Sequence, residues 1–330
     1  MTETMQAIKL SGPGSLDALA PSEISKPEAR PGWVRIRIKA FGVNESEITS
    51  RKGESSADFT FPRVLGIECV GIVDAADPDS GLRPGQKVAT MMGGMGRSID
   101  GSYAEYTLVP AAQVIPFDTD LPWEIVGALP EMFQTAYGSL TTGLDLRAGQ
   151  NLLIRGETST VALSAATLAK DMGATVLSTT RNPNRIEWLR ERGIDHPLLD
   201  DGHIAGAVRA IVPGGVDAAL ELVGMTTLSD TLAAVRTHGT GCFTGALSGT
   251  WTIENFGPLG FIPIGVRLTC YGGNASDLPA EVFAHQLEGI AAGRLTPTLA
   301  AVYHGLEQVR QAHSDLEAGT TPGKHVVVLD

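Results

Sequence analysis

Residues 152–185, LLIRGETSTVALSAATLAKDMGATVLSTTRNPNR, contain the pattern of a strand, a turn, a helix and a second strand. One apolar stripe marks the helix, and it consists of Val161, Ala165, Leu168, Ala169 and Met172. A unit of this kind brings a helix N-terminus, with its free N–H groups and positive dipole, to the end of a buried strand. We therefore expect a phosphate-bearing ligand at the turn.

The turn keeps part of the G-x-G-x-x-G fingerprint of dinucleotide sites. Gly156 is retained, Ser159 is small and can donate to phosphate, and Ala162 stands where the helix must pass close to the strand. The alternative is an ordinary strand-turn-helix whose Ser and Thr side chains only cap the helix. As a dinucleotide site, the turn would contact pyrophosphate through Thr158, Ser159, Thr160 and Val161.

The end of the second strand indicates which dinucleotide is bound. NAD sites place an Asp or Glu about 20 residues after the glycines to hold the ribose 2′-hydroxyl. Here that place holds Thr180 and Arg181, which suit a 2′-phosphate. The sequence therefore predicts NADPH as cofactor, with Arg185 as a further contact or, alternatively, a solvated helix residue.

Composition limits the classes of protein and partner. The chain has 330 residues, 43% of them hydrophobic, with 25 Lys and Arg against 37 Asp and Glu, a net charge of −12. A small-molecule partner is expected, and nucleic acid or an anionic membrane is not, because no basic run occurs. Three scattered cysteines in apolar surroundings suggest reduced core residues in a cytoplasmic protein. No secretion signal or membrane span is indicated.

Two kinds of pattern follow each other along the chain. The first third contains alternating strands such as WVRIRIKA at 33–40, which is typical of half-buried antiparallel sheet. From about residue 121, apolar strands alternate with helices, which predicts a parallel sheet covered on both faces. The strand HVVVL at 325–329 is expected to rejoin the first domain.

These pieces resemble the medium-chain dehydrogenase/reductase superfamily, in its zinc-independent branch similar to NADPH:quinone oxidoreductases. The resemblance runs nearly end to end, and it rests on motifs that stand in the family's order and spacing. These are GVN at 42–44, GIE at 66–68, LRPGQKV at 82–88, GSYAEY at 101–106, TAYG at 135–138, GVDAALELVG at 215–224 and GK at 323–324.

The resemblance implies an α/β protein of two domains. Residues 1–118 and 273–330 would form a GroES-like β-rich catalytic domain, and residues 119–272 a doubly wound Rossmann domain that binds NADP(H). It also implies a homodimer that extends its sheet through the strand containing Cys270 and Tyr271. Further cofactor contacts implied by the family are Thr135, Val223, Gly245, Ala246, Leu247 and Lys324.

Zinc-dependent relatives place Cys and His ligands where this chain has Asn44 and Ile67. An isoleucine cannot coordinate a metal and an amide is a poor zinc ligand, so no metal site is expected. Without a strong Lewis acid, hydride transfer is easiest to acceptors that are already electrophilic, namely quinones and α,β-unsaturated carbonyls.

Two residues are candidates for catalysis. Asn44 could donate its amide to a substrate oxygen or to the nicotinamide ribose, or it could satisfy a local turn. Tyr137 could donate a proton to the developing anion, or it could pack with its hydroxyl hydrogen-bonded. The leading interpretation is an NADPH-dependent oxidoreductase for quinones or activated alkenes. The alternatives are an NADPH-binding protein of structural or regulatory role with little turnover, and an enoyl-thioester reductase.

Overall fold

The computed structural model describes residues 3–156 and 159–330, and it divides into two units. The first unit is Met1–Gln134 with Asn274–Asp330, and the second is Thr135–Gly273. The division expected from the sequence fell at 118/119, whereas residues 119–134 group with the first unit. The backbone N–H of Glu131 donates to Oε2 of Glu68 at 2.8 Å, which ties this segment to a first-unit strand.

The strands, in chain order, are β1 Thr4–Ala7, β2 Lys9–Leu10, β3 Ser22–Ser25, β4 Trp33–Val43, β5 Arg63–Val64, β6 Glu68–Ala76, β7 Lys87–Met91, β8 Tyr106–Pro110, β9 Val114–Pro116, β10 Asn151–Arg155, β11 Thr175–Thr180, β12 His196–Leu199, β13 Val216–Glu221, β14 Val235–Phe243, β15 Arg267–Cys270, β16 Leu299–His304 and β17 Lys324–Val328.

The α-helices are α1 Glu45–Lys52, α2 Trp123–Val126, α3 Leu129–Gly138, α4 Thr160–Asp171, α5 Ile186–Glu191, α6 Ala205–Ile211, α7 Met225–Ala233, α8 Pro258–Phe261, α9 Ala280–Ala291 and α10 Val309–Ala318. A π-helical turn at Ser139–Gly143 continues α3. Short 3₁₀ turns lie at Leu16–Ala18, Pro78–Ser80, Ala111–Gln113, Pro183–Arg185, Ala275–Asp277 and Leu306–Gln308.

The first unit is built around a seven-stranded sheet in the order β16-β17-β4-β6-β7-β9, with β8 also pairing with β4. Its long strand β4 shows the expected alternation, since Val34, Ile36 and Ile38 are buried and Arg37 is exposed. The C-terminal strand β17 joins the first unit, as the sequence predicted, and the structure shows that it pairs antiparallel with β4. The first unit is therefore completed by residues from near both ends of the chain.

The second unit is a six-stranded sheet in the order β12-β11-β10-β13-β14-β15, with every pair parallel. Numbered within the unit, this is the doubly wound order 3-2-1-4-5-6. The predicted fold class is confirmed. Because the connections reverse direction between β10 and β13, the carboxyl edge at those two strands is where ligands bind in such folds.

Burial follows the apolar pattern, with one correction among the cysteines. Cys69 and Cys242 are buried, as expected, but Cys270 is exposed because it ends β15, the edge strand of the parallel sheet. In the described ranges, no helix combines the length and apolar character needed to cross a bilayer.

Candidate functional site

The turn after β10 is as tight as the sequence predicted. Gly156 has φ +102°, a conformation that glycine adopts at no steric cost. A Cβ at this position would lie 3.1 Å from Cδ1 of Leu247, 3.3 Å from Cβ of Leu222 and 3.3 Å from Cγ2 of Val223. The structure thus brings Gly156, Val223 and Leu247 together at the carboxyl edge of the parallel sheet.

Helix α4 begins at this turn with Ser159 as its N-cap. The Oγ of Ser159 accepts from the N–H of Ala162 at 3.1 Å, so the capping role considered for this serine is present. The first N–H groups of an α-helix, here those of Thr160 and Val161, have no acceptor within the helix. They are suited to an anion. Thr158, also expected to contact pyrophosphate, lies outside the described residues.

The loops after β13 and β14 run side by side. The N–H of Leu247 donates to the carbonyl of Leu222 at 2.9 Å, and that of Ser248 donates to Val223 at 2.8 Å. Gly245 and Ala246 precede these contacts and are half-buried. Backbone pairing therefore continues beyond the strand ends and fixes the predicted cofactor residues 245–247 beside Val223.

The end of β11 requires a correction. Thr180 was expected to contact the 2′-phosphate, but it is only 2% exposed. Its Oγ1 accepts from the N–H of Asn182 at 3.0 Å and donates to the Asn182 carbonyl at 3.3 Å, so the hydroxyl is used in the local turn. Arg181 is exposed and, within the described ranges, its side chain has no hydrogen bond or ion pair. Arg185 is half-buried in the 3₁₀ turn Pro183–Arg185.

Thr135 and Tyr137 lie in the last turns of α3. The buried Thr135 accepts the hydroxyl of Ser139 on its carbonyl at 2.7 Å, and Ser139 in turn contacts Oγ1 of Thr244 at 3.0 Å. This contact anchors the helix end to the segment that precedes Gly245. Tyr137 is half-buried, and its carbonyl accepts from Thr141. Its role as a proton donor stays a prediction.

In the first unit, Asn44, Glu47, Glu68, Glu131 and Lys324 form what we call the buried charge cluster. The Nζ of Lys324 is 2.6 Å from Oε1 of Glu68 and 3.2 Å from Oε2 of Glu131, and it also donates to Oδ1 of Asn44. Nδ2 of Asn44 donates to Oε1 of Glu68 at 3.1 Å and to Oε1 of Glu47 at 3.2 Å.

This cluster changes the interpretation of two predicted site residues. Both amide hydrogens of Asn44 are taken by carboxylates, so the amide has no hydrogen left to donate to a substrate oxygen. Lys324 is fully buried and surrounded by acceptors within its own unit, so its ammonium does not lie where a cofactor could reach it. The sequence could not show either point, because the partners are distant in the chain.

Burial raises the pKa of two carboxyl groups in the cluster. It raises the pKa of Glu47 to about 7, although the N–H of Ile67 and the amide of Asn44 donate to this carboxyl. Burial likewise raises the pKa of Glu68. For Lys324, burial works to lower the pKa, but the carboxylates of Glu68 and Glu131 outweigh it, and the pKa lies above its ordinary value.

The positions of the zinc ligands in related enzymes hold groups of a different kind. Ile67 is buried and contributes only its backbone N–H, which donates to Glu47 at 2.9 Å. Asn44 faces the ammonium of Lys324, a cation that would repel a metal ion at the same oxygen. Among the described residues, no group of three or more His, Cys, Asp or Glu side chains could hold a metal ion.

Two family models match this chain, and both belong to one superfamily. The family described as "Alcohol dehydrogenase GroES-like domain" matches residues 30–119, and that described as "Zinc-binding dehydrogenase" matches residues 192–327. The chain belongs to the medium-chain dehydrogenase/reductase superfamily.

Within this superfamily the chain is similar to quinone oxidoreductases. It is 25% identical to the quinone oxidoreductase of Homo sapiens over 331 residues, which is 98% of each protein. It is also 29% identical over 238 residues to the spectinabilin polyketide synthase system protein NorB of Streptomyces orinoci. That match covers 69% of this chain but only 10% of NorB.

Two solved structures have a fold similar to that of this chain. The crystal structure of AibC matches with a TM-score of 0.89 at 25% identity, covering 100% of this chain and 97% of AibC. The mycobacterial protein Rv1454c, solved in complex with NADPH, matches with a TM-score of 0.81 at 26% identity, covering 98% and 99% of the two chains.

The shifted pKa of Glu47 predicts a pH-dependent stability. A carboxyl with a pKa of about 7 in the folded protein and about 4.5 in the unfolded chain stabilises the fold fully below pH 4.5. This contribution, about 3 kcal/mol, is lost as the pH rises through 7. We expect Glu47→Gln to remove it, which urea unfolding at pH 5 and pH 8 would measure.

The matched control is Glu54→Gln, which changes an exposed glutamate just beyond the same helix. It should lose as much stability between pH 5 and pH 8 as the unchanged protein does. If Glu47→Gln shows that same loss as well, Glu47 is ionised in the folded protein throughout this range.

Proposed function

We propose that this protein is an NADPH-dependent oxidoreductase that transfers hydride to a quinone or an α,β-unsaturated carbonyl without zinc. The observation that carries the proposal is the exposed Arg181 at the end of β11, beside a tight glycine turn on the carboxyl edge of a doubly wound sheet. The cofactor, when bound, supplies the hydride. The chain's own residues bind and orient it.

The choice of NADPH rests on the charges at the strand end. The position that carries an acid in NAD sites is occupied by Thr180 and Arg181, and a guanidinium can hold a 2′-phosphate through two parallel hydrogen bonds. The complex of the similar protein Rv1454c with NADPH supports this choice. Pyrophosphate would be held by the N-terminus of α4 at Thr160 and Val161, with the glycine turn allowing close approach.

The choice of acceptor rests on the residues at the two zinc-ligand positions. Asn44 is held by the other members of the buried charge cluster, and the side chain of Ile67 has no atom that can coordinate a metal. The chain therefore has no Lewis acid at these positions to polarise an alcohol. Quinones and conjugated enones need none. Similarity to the human quinone oxidoreductase supports the same substrate class. Tyr137 is our candidate for the group that protonates the product anion.

The second unit also carries the features of a dimer surface, and we propose a homodimer. Strand β15 is an edge strand, and an unpaired strand edge is a template for pairing with another chain. The segment before it exposes Trp251, Phe256, Leu259 and Ile264, with Leu259 98% and Ile264 94% exposed. Several exposed apolar side chains within one short segment favour an interaction site there.

One specific observation favours a second candidate, reduction of an enoyl thioester. The similarity of the chain to a region of the polyketide synthase system protein NorB supports this candidate. A protein that binds NADPH and reduces neither class of substrate would instead serve a structural or regulatory role.

The reaction itself is the first prediction that follows from the proposed function. NADPH should be oxidised in the presence of an ortho- or para-quinone or a conjugated enone, with unchanged rate after dialysis against a chelator, because no metal is required. A crotonyl thioester tests the second candidate, and a saturated alcohol with NADP⁺ serves as the negative control. Efficient alcohol oxidation that is lost on chelation would contradict the zinc-independent reaction.

The cofactor preference is the second prediction. Arg181→Ala removes charge-assisted hydrogen bonds worth roughly 1.5 to 3 kcal/mol, so the dissociation constant for NADPH should rise about ten- to a hundredfold. That for NADH should stay nearly unchanged, because NADH lacks the phosphate. Fluorescence titration measures both. Arg190→Ala, on the exposed face of α5, is the control and should alter neither. Equal weakening of both cofactors by Arg181→Ala would show a general structural role instead.

The third prediction concerns the dimer. Replacing Leu259 and Ile264 together by Ser removes apolar side chains worth roughly 1.5 kcal/mol or more each when buried, so dimer dissociation should increase more than about a hundredfold. Sedimentation velocity at several concentrations measures it. Leu199→Ser, at the opposite edge strand β12, is the control for an exposed apolar side chain. A protein that is monomeric before any substitution would rule out the proposed interface.

A further inference from the structure

Arg155 is a buried cation at the place where the proposed cofactor site begins. It is the last residue of β10, directly before Gly156, and it is 0% exposed. Its Nε and Nη2 donate to the two carboxylate oxygens of Asp200, each at 2.8 Å, as a bidentate pair. Its Nη1 donates to Oδ2 of Asp230 at 2.9 Å.

The partners of Arg155 belong to several elements of the carboxyl edge. Asp200 follows β12, and it also accepts from Oγ1 of Thr179 in β11 at 3.2 Å. Asp230 lies in α7, next to Thr231, whose Oγ1 accepts from Arg155 at 3.2 Å. One guanidinium therefore connects the ends of β10, β11 and β12 to helix α7.

The connection reaches the loop after β13 through Thr231. The hydroxyl of Thr231 donates to Oε2 of the fully buried Glu221 at 2.5 Å. Oε1 of Glu221 accepts from the backbone N–H groups of Val223 at 2.7 Å and Gly224 at 3.0 Å. The backbone that we assign to the cofactor at Val223 is thus held by the same network.

For the cofactor preference, the most important charge in this network is that of Asp200. Its backbone N–H donates to the carbonyl of Thr180 at 2.7 Å, so this acid lies beside the strand end that carries Arg181. Burial works to raise the pKa of Asp200, but the hydrogen bonds and charge of Arg155, together with hydrogen bonds from Gly202 and Thr179, outweigh it. The pKa is therefore lowered, which keeps the carboxylate ionised. In related folds, an acid at the end of the second strand holds the ribose 2′-hydroxyl of NAD, and Asp200 brings a carboxylate from the neighbouring strand close to that place.

We propose that Arg155 is a positioning residue that sets the cofactor preference by pairing with Asp200 and neutralising it beneath the strand end. The proposal rests on the proposed function, because it concerns the affinity for NADPH relative to NADH. With the guanidinium in place, Asp200 is turned towards Arg155 and its charge is compensated. A 2′-phosphate at Arg181 then meets no uncompensated negative charge from this carboxylate.

The test compares the ratio of the NADPH and NADH dissociation constants in a set of variants. Arg155→Met should raise the dissociation constant for NADPH at least about tenfold and that for NADH no more than about threefold. In Arg155→Met, Asp230 also loses the guanidinium but keeps the backbone N–H groups of Ile204 and Ala205 as donors. The double variant Arg155→Met with Asp200→Asn removes the charge of Asp200 as well. It should return the NADPH value to within about threefold of that of the unchanged protein. Arg155→Lys keeps the charge and should keep the preference, even where thermal unfolding shows lower stability.

Two further variants separate this role from a loss of stability. Arg51→Met removes a buried arginine paired with Glu317 in the first unit, so it should lower stability without changing the ratio. Asp200→Asn alone keeps Arg155 and should bind NADPH at least as tightly as the unchanged protein, which provides a measurement even if Arg155→Met does not fold.

The outcomes are distinct. Equal weakening of both cofactors by Arg155→Met, a double variant that does not recover NADPH, or a tenfold loss of NADPH affinity in Asp200→Asn would each overturn the proposal. An unchanged protein that prefers NADH would instead overturn the proposed cofactor, while the shift in the ratio between variants would still be measurable.

Discussion

The first unit depends on the ion pair between Lys324 and Glu68. Both side chains are fully buried, and a buried charge is tolerated only when it is paired and hydrogen-bonded. Gly42 in β4 provides the space, because a Cβ there would lie 2.2 Å from Cε of Lys324 and 2.3 Å from Oε1 of Glu68. The pair joins β17 to β6 across β4, and the positions of Asn44 and Glu131 follow from it.

The second unit also contains buried charges that must be paired, and they lie at the carboxyl ends of its strands. Arg155 and Glu221 are both fully buried at the carboxyl edge of the sheet, and polar side chains of α7 link them. In each unit a single buried cation therefore organises several carboxylates. In the second unit, this network holds the loop after β13, because Glu221 accepts from the backbone N–H groups of Val223 and Gly224. Apolar packing alone would leave those groups without acceptors.

The order of elements and the fold could be predicted from the sequence because both depend on local patterns. Alternation marked β4, apolar runs marked β10 and β11, and Gly156 marked a turn that only glycine makes easily. The placements of Asn44, Thr180 and Lys324 could not be predicted in the same way. Whether an amide or an ammonium is free to meet a ligand depends on partners such as Glu68, which lies 256 positions before Lys324 in the chain.

Arg155 is a second example of a residue whose role could not be predicted from the sequence alone. A charged residue at the end of an apolar strand was a visible signal, since Leu152–Ile154 gives no reason for a cation to follow. The role of Arg155 could be recognised only from its partners Asp200, which follows β12, and Asp230, which lies in α7. Similarly, the exposed position of Cys270 follows from β15 being the last strand of its sheet, and a single apolar segment does not contain that information.

The pairing of β17 with β4 has a consequence for synthesis on the ribosome. Residues 135–273 form a continuous stretch that can complete its sheet as soon as it has emerged, whereas β4 must wait for residues 324–328. During that interval Glu68 and Asn44 lack their ammonium partner, and residues 40–43 of β4 lack the strand that pairs with them in the folded protein. Until the last strand arrives, this short stretch of β4 is a template for pairing with another chain.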